Sequence, residues 1–287
     1  MISLARLYGR LGNQLFQYAF ARATAARLGT TFYCPPWEGD RAFYLADAGE
    51  RVSEPCGISR VFDADPEPGF TAAALEVADN TELRGFFQSE KFYPDKALVR
   101  RWYTFKREVV AAASARYPLD AVHECVSVSL RIDHDYAGTR EYFPLYPRSY
   151  YQRALTAVEA GRPVLVFADR PDLAKDFLKK LKGHDLRYVE GLGGPEQLFL
   201  MTQCRANIIT NSTFAWWGAW LNARDGHQIV APSVWIRSGV PHGVTDILCD
   251  DWIKVRGTVP VWDHFQAWRL RHPLATVKRI RDRLFPG

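Results

Sequence analysis

The second half of the chain most restricts its fold. Four short runs of apolar, often β-branched residues recur there: CVSVSL (125–130), PVLVFA (163–168), NIIT (207–210) and QIVA (228–231). Helical stretches separate or follow them, at 148–160, PDLAKDFLKKLKG (171–183), PEQLFLMTQCRA (195–206) and STFAWWGAWLNAR (212–224). A strand with little polar alternation is buried on both faces, so such strands alternating with helices predict a Rossmann-like parallel sheet covered on each side. Ligands of these sheets gather at the carboxyl ends of the strands. The 287 residues suffice for one large domain or two modest ones.

The first half opens on ISLARLY (2–8), which predicts a short strand, and then places Gly9, Gly12, Asn13 and Gln14 close together. A helix is predicted from Gln14, with Leu15, Ala19, Ala23 and Ala26 on one face and Phe16 and Phe20 beside it. Gln17, Arg22 and Arg27 fall elsewhere on that helix, and Gly29 sits where a helix stop is expected. Strand, glycine turn and helix together aim backbone N–H groups and a positive helix end at an anion such as a diphosphate. The same pattern also serves as a plain tight connection. Its spacing is neither Gly-x-Gly-x-x-Gly nor a Walker loop. Residues 32–82, rich in Pro, Gly, Asp and Glu, predict loops with small elements, and 86–118 is helical in parts.

The strand ends collect polar groups. Arg131-Ile132-Asp133-His134-Asp135-Tyr136 follows the first run, Asp169-Arg170 the second, and Asn211-Ser212-Thr213 the third. Several have a packing explanation as well. Asn211 and Ser212 are good helix N-caps, Asp169 before Pro171 could cap the next helix, and His134 alone suits a surface. Phe214, Trp217 and Leu221 share a helix face, as core residues do. Arg131 is harder to dismiss, because an arginine behind a buried strand needs a phosphate or carboxylate partner.

Composition narrows the partners. The net charge of +5 is diffuse, with no dense basic run before the C-terminus, and this argues against nucleic acid. The five cysteines are scattered with no CxxC pair, so neither a zinc site nor a disulfide framework is indicated and a reducing compartment is expected. No signal-peptide pattern and no membrane-length apolar run is present, so a soluble, cytoplasmic protein is expected.

The segments GRLGNQLFQYAFARA and EQLFLMTQCRANIITNSTFAWWGAWLN together resemble the α1,2-fucosyltransferase family. That family pairs an N-terminal G-x-L-G-N-Q-(L/M)-F-Q-Y-A motif with a C-terminal N-S-(S/T)-F-(S/A)-W-W-(G/A)-A-(W/Y)-L motif, in this order and near this spacing. VLVFADRPDLAKDFL is similar to a further segment of the family. The resemblance runs from residue 1 to about 235 and is weakest at 30–120. It implies an α/β fold of the GT-B type, with two Rossmann-like domains facing across a cleft. Residues 1–120 would form the acceptor-side domain. Residues 121–287 would form the nucleotide-sugar domain, with the final helix free to cross back.

The implied activity is inverting, metal-independent transfer of L-fucose from GDP-β-L-fucose to a galactoside hydroxyl, with no cofactor. The acceptor would be an oligosaccharide or lipid-linked glycan of a bacterial surface polysaccharide such as O-antigen. The resemblance assigns Gly9, Arg10, Gly12, Gln14, Ser129, Asp169, Asn211, Ser212, Thr213 and Phe214 to the donor, with Asp169 on the guanine edge. It assigns Arg131 and Asn13 to the reaction, Arg131 neutralising the β-phosphate of the leaving GDP. Where the family has His-x-Arg-Arg-Gly-Asp-Tyr, this chain has Ser129 for the histidine and Ile132 for the second arginine. Its Asp-Tyr pair comes one position late, at Asp135-Tyr136. These departures keep two alternatives open, a different nucleotide-sugar donor and a non-catalytic relative. Asp133, His134 and Asp135 gather acid–base groups near the cleft, and one of them is expected to help deprotonate the acceptor. The tail LATVKRIRDRLF (274–285) sets Val277, Ile280 and Leu284 on one face amid basic residues. It would dock on the first domain or rest on an anionic membrane at the inner face.

Overall fold

The structure is a computed structural model, and it describes residues 1–64, 69–132, 144–236 and 246–257. Two parallel sheets organise it. The first has the order β4-β2-β1-β6-β5, from β1 (Ile2–Ser3), β2 (Phe32–Tyr33), β4 (Arg51–Val52), β5 (Arg60–Asp63) and β6 (Thr81–Arg84). A separate antiparallel pair joins β3 (Phe43–Tyr44) to β7 (Thr104–Phe105). The second sheet has the order β10-β9-β8-β11-β12-β13, from β8 (Val126–Leu130), β9 (Val164–Ala168), β10 (Leu186–Tyr188), β11 (Ala206–Ile208), β12 (Gln228–Pro232) and β13 (Ile253–Val255). The chain leaves β8 toward β9 on one side and returns to β11 on the other. This reversal makes the crevice between β8 and β11 the place where a ligand is received.

The helices are α1 (Leu11–Leu28), α2 (Gly39–Ala42), α3 (Lys96–Trp102), α4 (Arg107–Arg116), α5 (Leu119–His123), α6 (Arg148–Thr156), α7 (Pro171–Leu178), α8 (Gly194–Gln203) and α9 (Thr213–Trp220). The runs at 125–130, 163–168, 207–210 and 228–231 fall on or beside β8, β9, β11 and β12, as expected of strands buried on both faces. β8 is buried at all five positions.

α1 departs from the sequence expectation. It begins at Leu11 rather than Gln14, and it is buried almost all round for its first four turns instead of presenting one apolar face. Gln17 is fully buried because its amide closes on Tyr8: its Nε2 donates to the Tyr8 carbonyl, and the Tyr8 N–H donates back to Oε1, both at 2.9 Å. Arg22 is buried because distant acceptors meet it, the Glu50 carboxylate at 2.7 Å and the Leu45 carbonyl at 2.6 Å, while the Trp102 ring lies 4.4 Å beneath it. Conversely Ala26 is exposed. Gly29 does end the helix, in the left-handed conformation (φ 65°) that glycine adopts without strain.

Three helices pack outside their own stretch of sequence. α4 and α5 set Val109, Ala113 and Val122 in one cluster with Leu165 and Phe167 of β9 and Phe199 of α8. α9 sends Trp216, Trp217 and Trp220 into the core of the first sheet.

Candidate active site

A cleft of ≈ 630 Å³ lies where the carboxyl ends of the two sheets meet. Gly9–Asn13 and Glu38 line it from the first sheet. Ser129–Arg131, Phe167–Asp169, Thr210 and Ser212–Ala215 line it from the second, together with Gly194, Pro195, Gln197 and Met201. Two helix N-termini, those of α8 and α9, therefore open into one space, and unsatisfied N–H groups and the helix dipole favour an anion there.

The two long motifs are one physical unit. Gly12 lies directly on the start of α9: a Cβ there would fall 2.4 Å from the Phe214 backbone nitrogen and 2.7 Å from the Thr213 carbonyl carbon. Only glycine permits that approach. One turn on, the Phe16 ring meets Trp216 at 4.5 Å and Trp217 at 4.9 Å. Gly9 carries the other demand of the turn, a positive φ of 74°, with Asn13 folded against it. The Asn13 Oδ1 accepts from Gln88 Nε2 at 3.0 Å, which ties the turn after β1 to the loop after β6.

On the second sheet, short side chains stitch the strand ends. Ser129 Oγ lies 3.2 Å from Thr210 Oγ1 and accepts the Thr210 N–H at 3.1 Å, closing β8 to β11. Asp169 Oδ1 accepts the Ile132 N–H at 2.8 Å, closing β8 to β9. The cap of α7 is Arg170, not Asp169. Ser212 is the N-cap of α9 and accepts the Ala215 N–H at 3.4 Å. Arg131, half-buried between these stitches, faces both the cleft and a small apolar hollow behind it. Ile132, where the family has its second arginine, is buried in the aliphatic core of the second sheet. Burial pushes the phenols of Tyr150 and Tyr151, in the same core as Ile132, well above their ordinary value.

The cleft thus brings together Gly9, Arg10, Gly12, Asn13, Ser129, Arg131, Asp169, Ser212, Thr213 and Phe214. Two expected donor residues do not line it. Gln14 is engaged with the turn itself, donating to the Gly9 carbonyl at 3.1 Å and accepting the Glu38 N–H at 3.2 Å. Asn211 is buried, and its amide donates to the carbonyls of Pro144 (3.0 Å) and Trp235 (3.4 Å). Asp133, His134, Asp135 and the 274–285 tail lie outside the described residues.

Sequence reasoning missed Glu38, Gln88, Thr210 and the start of α8. Thr210 closes the NIIT run, so the strand-end rule applied to it as well. Glu38 and Gln88 follow strands too short or too polar to announce themselves. Among the described residues, one group of possible metal ligands stands together, Glu90, Cys249 and Asp251, and none of the three lines the cleft. Among the same residues, no helix is long and apolar enough to cross a membrane.

Solved structures share this fold. A solved structure of POFUT1 in complex with GDP superposes with a TM-score of 0.53 at 15% identity, covering 80% of this chain and 97% of that one. POFUT1 in complex with GDP-fucose gives 0.53 at 14% identity, with the same coverage. An alpha-1,2-colitosyltransferase of Escherichia coli is 24% identical over 271 residues, 82% of this chain and 92% of that protein. The O-antigen biosynthesis glycosyltransferase WbnK of Escherichia coli is 29% identical over 119 residues, 40% of this chain and 38% of that protein. The fold is GT-B, and the protein is a glycosyltransferase. The model of Glycosyl transferase family 11 matches residues 119–256.

Proposed function

We propose that the protein transfers L-fucose from GDP-β-L-fucose to a galactoside hydroxyl. The product is an α1,2 linkage formed with inversion and without a metal ion, in the synthesis of a bacterial surface glycan. The observation that supports this reading most is the meeting, in one cleft, of the Gly9–Asn13 turn, Arg131 and the N-termini of α8 and α9. Negative charge grows on the diphosphate as the glycosidic bond breaks. Oriented N–H groups and a guanidinium are suited to stabilise it where no metal does so. Arg131→Ala is expected to lower kcat by about 10²–10³, with GDP affinity changed far less. Equal losses in both would mean that Arg131 only holds the ground state.

A second donor is favoured by a specific observation. The relative matched over most of its length is named for colitose, the 3-deoxy form of L-fucose, and Ser129 and Ile132 depart from the fucosyltransferase pattern. Calorimetric titration with GDP, UDP, dTDP and CMP, with and without Mg²⁺, tests the nucleotide. Selective binding of GDP without the ion is expected, and preference for another nucleotide would overturn the donor class. Transfer from GDP-fucose and from GDP-colitose to galactosides then decides the sugar.

A further inference from the structure

Sugar transfer to a hydroxyl releases that hydroxyl's proton, and the first sheet holds a carboxylate where the acceptor would enter. Among the described residues two carboxylates line the cleft, Glu38 and Asp169. Asp169 belongs to the second sheet and accepts the Ile132 N–H, bridging β8 and β9. Glu38 follows β2, which lies between β4 and β1 in the first sheet, and sits beside the turn that carries Asn13.

Glu38 is held in place from several directions. Its N–H donates to Gln14 Oε1 at 3.2 Å, and its Oε2 accepts the Leu11 N–H at 3.2 Å. The preceding Trp37 stacks on Tyr18 at 4.8 Å, and its N–H donates to Asp40 Oδ2 at 2.9 Å. Asp40 in turn is paired with Arg51 at 2.6 Å. Gly39 leaves room for the Trp37 ring, since a Cβ there would lie 2.3 Å from it. Glu38 is itself exposed, and an exposed carboxylate needs none of this scaffolding merely to stay in water. It is what a charge needs to be kept at one point of a cleft.

We propose that Glu38 is the base that receives the acceptor's proton, an assignment that rests on the transferase reading above. As the acceptor oxygen bonds to C1 of the sugar, the bond from C1 to the β-phosphate oxygen breaks and its electron pair leaves with GDP. The hydroxyl proton passes to the Glu38 carboxylate and from there to water.

A purely structural role is also open to Glu38. It caps α1, whose N-cap Arg10 makes no side-chain capping bond and whose first turn has no acidic residue. Glu38→Gln separates the two roles, because an amide oxygen still accepts the Leu11 N–H but cannot take a proton. The wild type, Glu38→Gln and Glu38→Asp are assayed with GDP-fucose and GDP-colitose. The acceptors are a galactoside and azide, the latter a nucleophile with no proton to lose. Glu38→Gln should lower kcat with the galactoside by about 10²–10³, with transfer to azide and affinity for GDP near wild type. Glu38→Asp should fall between. Galactoside transfer within about three-fold of wild type in Glu38→Gln would overturn the assignment. So would a matching loss with azide, or an azide-rescued loss in Asp133→Asn, His134→Ala or Asp135→Asn instead. A wild type that transfers neither sugar to either acceptor would overturn the transferase reading itself, and the base with it.

Discussion

The two sheets share a parallel design but are packed with different materials. The second uses strands of up to five residues, and its core is largely aliphatic: Val126, Val128, Val164, Val166, Leu178 and Ile208. In the first, β1, β2 and β4 have two residues each, and the core is aromatic: Phe16, Tyr18, Phe20, Phe92, Tyr93 and Tyr103, joined by the three tryptophans of α9. Two-residue strands bury little by themselves, whereas each large ring buries about 150–250 Å². Rings therefore replace strand length, and some are borrowed from the other half of the chain. The consequence is mechanical. α9 begins in the cleft and ends in the first core, so packing in the first sheet sets where the helix N-terminus points.

The largest test of this contrast is Trp217→Ala. Trp217 is fully buried, with Phe16, Trp216, Tyr103 and Trp220 all within 5.2 Å of its ring centre. Its loss should destabilise the protein by about 3–5 kcal/mol, read by denaturant unfolding, and should abolish GDP binding by freeing α9. Leu178→Ala, an equally buried position in the aliphatic core, should lose about 2–4 kcal/mol yet keep GDP affinity. If Leu178→Ala loses GDP as completely as Trp217→Ala does, the first core has no special hold on the cleft.

Gly12→Ala comes next. In most helices this exchange gains helix propensity. Here the new methyl meets backbone at 2.4 Å, and backbone cannot turn aside. The clash should outweigh the propensity gain, with a net loss of about 1–3 kcal/mol. Transfer should fall by about 10² or more, because a small displacement at the α9 N-terminus is felt by the reacting groups. Gly29→Ala, at the far end of α1 with open space around it, strains only its positive φ and should leave kcat unchanged. Equal kcat in both variants would break the claim that the two motifs act as one unit.

The same contrast decides what the sequence made legible. Strands buried on both faces announce themselves as apolar runs, so β8, β9, β11 and β12 could be read, and with them Arg131, Asp169, Ser212 and Thr213 at their ends. The first sheet offers no such runs. Gln17 and Arg22 read only as lying off the apolar helix face because the groups that satisfy them, at Tyr8, Leu45 and Glu50, come from the turn before the helix or from loops beyond it. Glu38 was invisible for a similar reason. Its position depends on Gln14, Tyr18, Asp40 and Arg51, contacts that local spacing does not encode. Gln14 and Asn211 looked like ligand residues, as polar groups at a turn and a strand end do. Their amides are used to satisfy backbone nearby.

The smallest effect sharpens the aromatic side of the comparison. Glu90 holds the far end of α9, accepting from Trp220 Nε1 at 2.9 Å and from Lys96 Nζ at 2.7 Å. Burial alone would raise its carboxyl pKa, but the bonds from Lys96 and Trp220 outweigh that and hold it below the usual glutamate value. A depressed carboxyl contributes stability at pH values above its unfolded pKa, about 4.3, and that contribution is lost as the pH falls through the lower folded value. Glu90→Gln keeps an acceptor for Trp220 and loses only the ionic part, so at pH 7 it should unfold about 1 kcal/mol more easily than wild type. As the pH drops below about 4, the two unfolding curves should converge. A gap that persists in acid would mean that Glu90 supports α9 through its shape and neutral hydrogen bonding. A gap that vanishes identifies a charge holding the end of the helix that the cleft depends on.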